Sequence, residues 1–108
     1  MAEYRGQELQ DKLAEAGLSD WKGGSDSITA KYLTGDFATG LDLVNRLGAA
    51  AEEANHHPDI TLTYPVVEVV LTSHDTGAVT ERDLTLAATF SDIAAGADIS
   101  ADRNGQSS

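Results

Sequence analysis

Residues 52–83 read EEANHHPDITLTYPVVEVVLTSHDTGAVTERD, and this stretch decides the fold. Ile60, Leu62 and Tyr64 alternate with Thr61 and Thr63, the period-2 pattern of a half-buried strand. Val67, Val69 and Leu71 alternate with Glu68 and Thr72, and Tyr64-Pro65-Val66 breaks the two runs apart. Two such runs with a short break predict an antiparallel hairpin, with Tyr64 as a strand and core residue. Folding the chain back at residues 65 and 66 sets His57 opposite His74 at the open end of that hairpin. All three histidines of the chain, His56, His57 and His74, then share one region.

Helices extend the cluster on both sides. Leu41, Val44, Leu47, Ala51 and Ala54 have helical spacing and predict a long helix from about Phe37 to Asn55. Pro58 prevents its continuation, because a residue before proline is steered away from helical dihedrals. Glu52 lies four residues before His56, so the two share a helix face if the helix reaches that far. Downstream, Thr80-Glu81-Arg82-Asp83 has the form of a capped helix N-terminus, which puts Asp83 in the first turn of a third helix over about Glu81–Ala95. Three histidines and two carboxylates, Glu52 and Asp83, are thereby directed towards one cleft.

The rest of the chain supports a small α+β domain. Leu9, Leu13 and Ala16 lie on one face of a short helix over Glu8–Ala16, and Gly17 is placed to end it. Trp21 then reads as a packing anchor, with a stacking wall for a flat ligand as its functional alternative. After the turn signal Gly23-Gly24-Ser25-Asp26, residues Ile28, Ala30, Tyr32 and Thr34 face one way along a strand, with a weaker strand around Trp21. Asp36 is a suitable N-cap for the helix that starts near Phe37. Helix, two strands, helix, two strands, helix predicts an antiparallel sheet with the helices packed on one face. A single domain is expected over residues 1–97. Residues 98–108 are small and polar and read as a disordered tail.

Composition narrows the function classes. The 108 residues fit one domain, and the net charge of -11 argues against nucleic acid or an anionic membrane as a partner. The chain has no cysteine, which excludes disulfides and thiolate chemistry. No apolar run is long enough to span a membrane, and the first twenty residues lack the apolar centre of a signal peptide, so a cytoplasmic protein is expected. A metal site built on the histidines is disfavoured. Adjacent histidines point about 100° apart on a helix and to opposite faces on a strand, so one ion rarely takes both.

Glu52, His56-His57-Pro58, Tyr64, His74 and Asp83 together resemble the pterin-4a-carbinolamine dehydratase family, whose motif they match at every interval. Trp21, Asp36-Phe37 and Thr80-Glu81-Arg82-Asp83 extend the resemblance over roughly residues 3 to 96. One departure is the strand before Asp36, where Tyr32 and Thr34 stand at positions that often carry two aromatics in the family. The resemblance implies a four-stranded antiparallel sheet with three helices on one side, assembled as a homodimer or homotetramer. It implies loss of water from 4a-hydroxytetrahydropterin to give quinonoid dihydropterin, in the recycling pathway of an aromatic amino acid hydroxylase. No metal or cofactor is implied, since the pterin is itself the substrate. Some members of the wider family are non-catalytic dimerisation or assembly modules, and that is the alternative reading.

The implied reaction suits the residues. A hydroxyl must leave C4a and a proton must leave N5, so an acid and a base are needed, and imidazole serves as either near neutral pH. His56, His57 and His74 are the expected catalytic residues. Within that set His56 and His74 form the acid/base pair, and His57 binds and orients the pterin. Glu52 and Asp83 are the expected orienting residues, either of them able to hold an imidazole in one tautomer. Asp83 is also explained by helix capping alone, and Glu52 as a solvated helix residue.

Overall fold

A computed structural model describes residues 2–102. Its elements run α1 (Gly6–Glu15), β1 (Trp21–Gly23), β2 (Ile28–Leu33), α2 (Phe37–Ala54), β3 (Asp59–Leu62), β4 (Val66–Leu71), α3 (Glu81–Gly96) and β5 (Ser100–Ala101). The sheet is antiparallel in the order β1-β2-β4-β3, with β5 added beside β2. The α+β architecture is therefore the expected one, with a fifth strand.

Strand periodicity separates the two faces of the sheet. Ile28, Ala30 and Tyr32 of β2 and Val67, Val69 and Leu71 of β4 are buried, while Thr29, Lys31 and Glu68 between them are only partly covered. The inward residues meet Leu9 and Leu13 of α1, Leu43, Leu47 and Ala51 of α2, and Leu86, Ala87, Phe90 and Ala94 of α3 in one core. Trp21 belongs to that core rather than to a ligand wall. It is buried, stacks on Phe90 with ring centroids 6.3 Å apart, and donates its Nε1–H to Ser91 Oγ at 3.0 Å.

The helix ends follow local chemistry. Asp36 caps α2 by accepting the Thr39 N–H at 2.7 Å, a bond that also holds the Asp36 carboxyl below its usual range. Gly17, at φ +68°, ends α1 in the left-handed region, where its N–H reaches Ala14 O and the Leu18 N–H reaches Leu13 O. Gly40 has a different reason to lack a side chain. A Cβ there would lie 2.7 Å from Leu62 Cδ1 and 3.3 Å from both Thr34 Oγ1 and Val67 Cγ2, so α2 sits directly on the sheet. Gly40→Val is expected to lower stability by about 2 kcal/mol through overpacking. Urea unfolding checks this, and an unchanged midpoint would contradict the close approach.

Tyr32 carries a pH-dependent part of the stability. Its ring is fully buried, and burial, the largest cause, pushes its hydroxyl from 10.0 up to about 12, with the nearby Asp20 carboxylate acting in the same direction. The neutral phenol is thus favoured in the folded state. That contribution is complete below pH 10 and lost as pH rises through about 12. The stability difference between wild type and Tyr32→Phe should change by about 3 kcal/mol across this window. Denaturant titrations at stepped alkaline pH measure it, and parallel curves for the two proteins would refute it.

Three expectations are corrected. Tyr64 is 67% exposed, because β3 stops at Leu62 and the Thr63 N–H turns back to Val66 O. Tyr64 and Pro65 form the tip of the turn, so the hairpin register differs from the one predicted. Asp59 pairs with Val70 and Leu62 with Val67. The same register carried past the strand end sets His57 level with Thr72, and His56 level with Ser73, so His57 does not face His74. Finally, residues 100 and 101, expected in a disordered tail, pair with Leu33 and Tyr32, and the Asp102 N–H donates to Lys31 O at 2.8 Å. The strand occupies the edge of β2 beyond the point where short β1 ends. Residues 103–108 of the expected tail lie outside the described residues.

Candidate active site

The site begins where α2 stops. Asn55 takes the left-handed conformation at φ 53°, its N–H reaches Glu52 O, and the His56 N–H reaches Ala51 O. This double bond is the Schellman ending of a helix, and Asn is one of the few residues besides glycine that tolerates it. The chain leaves α2 at Asn55, so Glu52 and His56 are not stacked on one helical face as expected. His56 turns inward, and its side chain is 11% exposed. His57 turns outward, and its Nε2 meets the Glu52 carboxylate, with both side chains largely exposed.

The end of β4 supplies the partner of Asp83. The inward series Val67, Val69, Leu71 continues to Ser73, which is fully buried and bridges to Ala78. Val79 and Thr80, also buried, then lead into α3, where Thr80 and Asp83 form the expected capping box. Asp83 Oδ2 accepts the Thr80 N–H at 2.9 Å and the Ser73 hydroxyl at 2.8 Å. Its other oxygen, Oδ1, lies 2.5 Å from His56 Nε2. With a carboxylate as partner the imidazole nitrogen is the donor, so His56 presents Nδ1 as its free ring nitrogen. Asp83 is both helix cap and histidine partner, two roles that the sequence offers as alternatives.

His56 also lines a cleft of about 410 Å³ between the end of α2 and the start of α3. Ala50, Glu53 and Ala54 form one wall, with Arg82, Thr85 and Leu86 opposite. The size is within the range of about 300–1,000 Å³ typical of small-molecule sites. Arg82 reaches out of this wall to Asp75 at 2.6 Å, pinning the turn between β4 and α3, and that hydrogen bond holds the exposed Asp75 carboxyl below its usual range.

The five expected site residues therefore fall into three places. His56 and Asp83 meet at the cleft, and Glu52 and His57 meet beside it on the surface. His74 is exposed on the turn, one residue after Ser73, and its side chain hydrogen-bonds to none of the other four. Among the described residues, no group of three or more His, Asp or Glu side chains is placed to hold a metal ion. Ser73 is the residue that sequence reading passed over. Its signal was present, since it continues the inward alternation of β4 by one step.

Comparison with known proteins identifies the family of the chain. The sequence model of the family described as pterin 4 alpha carbinolamine dehydratase matches residues 2–93. A Thermomicrobium roseum chain provisionally named a pterin-4-alpha-carbinolamine dehydratase is 40% identical over 77 residues, covering 71% of this chain and 83% of the relative. A similarly named Koribacter versatilis chain is 42% identical over 86 residues, covering 80% and 89%. A crystal structure of a transcriptional coactivator/pterin dehydratase from Brucella melitensis superposes with a TM-score of 0.77 at 28% identity, covering 86% of this chain and 99% of that one. A pterin dehydratase-like RuBisCO assembly factor of the alpha-carboxysome shares the fold, with a TM-score of 0.57 at 21% identity, covering 68% and 86%. By its matched length, its relatives and its fold, this chain belongs to the pterin-4-alpha-carbinolamine dehydratase family.

Proposed function

We propose that the protein removes water from 4a-hydroxytetrahydropterin, releasing quinonoid dihydropterin. The observation that carries this reading is the His56 imidazole at the cleft, tied through Nε2 to buried Asp83, in a chain of this family. In the reaction the C4a–O bond breaks and the hydroxyl leaves as water after gaining a proton. The N5–H bond gives its proton to a base, and its electron pair forms the C4a=N5 double bond. No electrons leave the substrate, so the step balances without a redox cofactor or metal.

His56 is assigned the N5 proton. Its Nδ1 is the free ring nitrogen, while Asp83 stabilises the imidazolium formed when that nitrogen is protonated. His74 is assigned delivery of the proton to the departing hydroxyl, from the exposed turn that begins at Ser73. His57, oriented by Glu52, is assigned to the pterin ring. An aromatic amino acid hydroxylase is the expected source of the substrate, and a homodimer or homotetramer is the expected assembly.

A second reading, a binding module without catalysis, is favoured by Phe37 and Leu41. These two α2 residues are 48% and 45% exposed and offer an apolar surface to another chain. The test is the rate of quinonoid dihydropterin formation from 4a-hydroxytetrahydropterin generated in place by a hydroxylase. A rate that rises in proportion to added protein is expected. A folded protein that leaves the spontaneous rate unchanged moves the assignment to the binding module.

A further inference from the structure

Thr80, Ser73 and Asp83 are all fully buried and lie in one line that ends at His56. Ser73 has a single hydroxyl hydrogen, and it points to Asp83 Oδ2 at 2.8 Å. The 2.8 Å contact between Ser73 Oγ and Thr80 Oγ1 must therefore use the Thr80 hydrogen. Thr80 donates to Ser73, Ser73 to Asp83, and Asp83 accepts from His56. Each bond polarises the next in a buried region. The Thr80 N–H shares Oδ2 with the Ser73 hydroxyl, so the carboxylate is fixed from two directions and its Oδ1 is aimed at Nε2.

We propose that Ser73 is a positioning residue that, acting through Asp83, fixes which ring nitrogen of His56 carries the proton. Without its hydroxyl, Oδ2 keeps only the Thr80 N–H, and the buried carboxylate, now held by Thr80 and His56 alone, can swing so that Oδ1 no longer faces Nε2 in a fraction of the molecules. The imidazole then loses its single orientation, and the proton is shared between the two ring nitrogens. This rests on the reading of His56 as the group that serves the cleft, but the tautomer itself can be observed without any turnover.

The test uses ¹⁵N NMR of the histidine rings in the full chain, under alkaline conditions in which imidazoles are neutral. Wild type, Ser73→Ala, Ser73→Cys and Ser73→Thr are compared, the cysteine variant because it keeps nearly the volume of serine while donating only weakly. Wild type and Ser73→Thr should show one Nε2–H tautomer for His56, and the alanine and cysteine variants a mixture. In the dehydration assay, the same two variants should lose about tenfold in kcat with KM unchanged, the scale on which outer-shell partners act elsewhere. A lowered melting temperature in either, with the wild-type tautomer and kcat retained, would make Ser73 merely structural and overturn the proposal. A wild type without dehydratase activity would defeat the functional reading alone, and the tautomer spectra would still decide the role of Ser73.

Discussion

Asp83→Asn is expected to reduce dehydration turnover by about 10²–10⁴-fold, the range of a lost general acid–base contribution. Asp83 accepts on both oxygens, from Ser73 and Thr80 at Oδ2 and from His56 at Oδ1. An asparagine side chain has one accepting oxygen and one donating NH₂. If the oxygen stays on the capping side, where two donors meet it, the NH₂ faces His56 Nε2. That nitrogen must then become an acceptor, and the ring proton moves to Nδ1, the nitrogen assigned to take the N5 proton. The base is blocked. If instead the amide flips, the cap loses both hydrogen bonds and its two buried donors face an NH₂, costing about 1–3 kcal/mol for an unsatisfied buried group. Either way one function of Asp83 fails, and measuring kcat beside urea unfolding tells which. Full turnover at full stability would contradict the double role.

Replacing His56 has the other large effect. His56→Ala is expected to lower turnover by a similar about 10²–10⁴-fold, and also to destabilise the fold. Its removal leaves the Asp83 carboxylate buried and one partner short, a loss of about 1–3 kcal/mol. His57→Ala should differ sharply in stability. The His57–Glu52 pair is solvent-exposed, and removal of such a group changes stability by about 0.5 kcal/mol or less. Thermal unfolding of the two variants side by side measures the contrast. Equal destabilisation would show that the surface pair matters as much as the buried one.

Much of this site was legible in the residues. The capping box of Thr80 and Asp83, the N-cap at Asp36 and the two alternating runs of the hairpin are local patterns, and each appears in the fold, the first run ending at Leu62 rather than Tyr64. What sequence could not specify depends on how elements meet. Helix spacing pairs Glu52 with His56, but Asn55 takes the left-handed turn and delivers His57 to Glu52 instead. The register of the hairpin was set by the assumed turn, and moving its tip to Tyr64 and Pro65 brought His56 level with Ser73 and left His74 outside. Ser73 itself looks like an ordinary polar residue at the start of a turn. Only the placement of α3 over the end of β4 makes it a buried donor to Asp83. β5 escaped notice for a similar reason. A two-residue strand has no periodicity, and its place is decided by the edge that β1 leaves open on β2.

Asp83 is at once a helix cap and the hydrogen-bond partner of His56. A helix cap is one of the commonest uses of an aspartate, yet here its second oxygen is spent on the imidazole in the cleft. The same carboxylate therefore links the start of α3, the end of β4 and the end of α2, the three elements whose junction is the site.

On the proposed function, His56 carries out proton transfer in the dehydration. The most direct measurement is the rate of quinonoid dihydropterin formation by wild type and by folded His56→Ala, the variant assayed with and without free imidazole. The variant should lose nearly all of the wild-type acceleration and recover part of it when imidazole enters the vacated space. A folded His56→Ala that retains the wild-type rate would show that His56 does not transfer the proton.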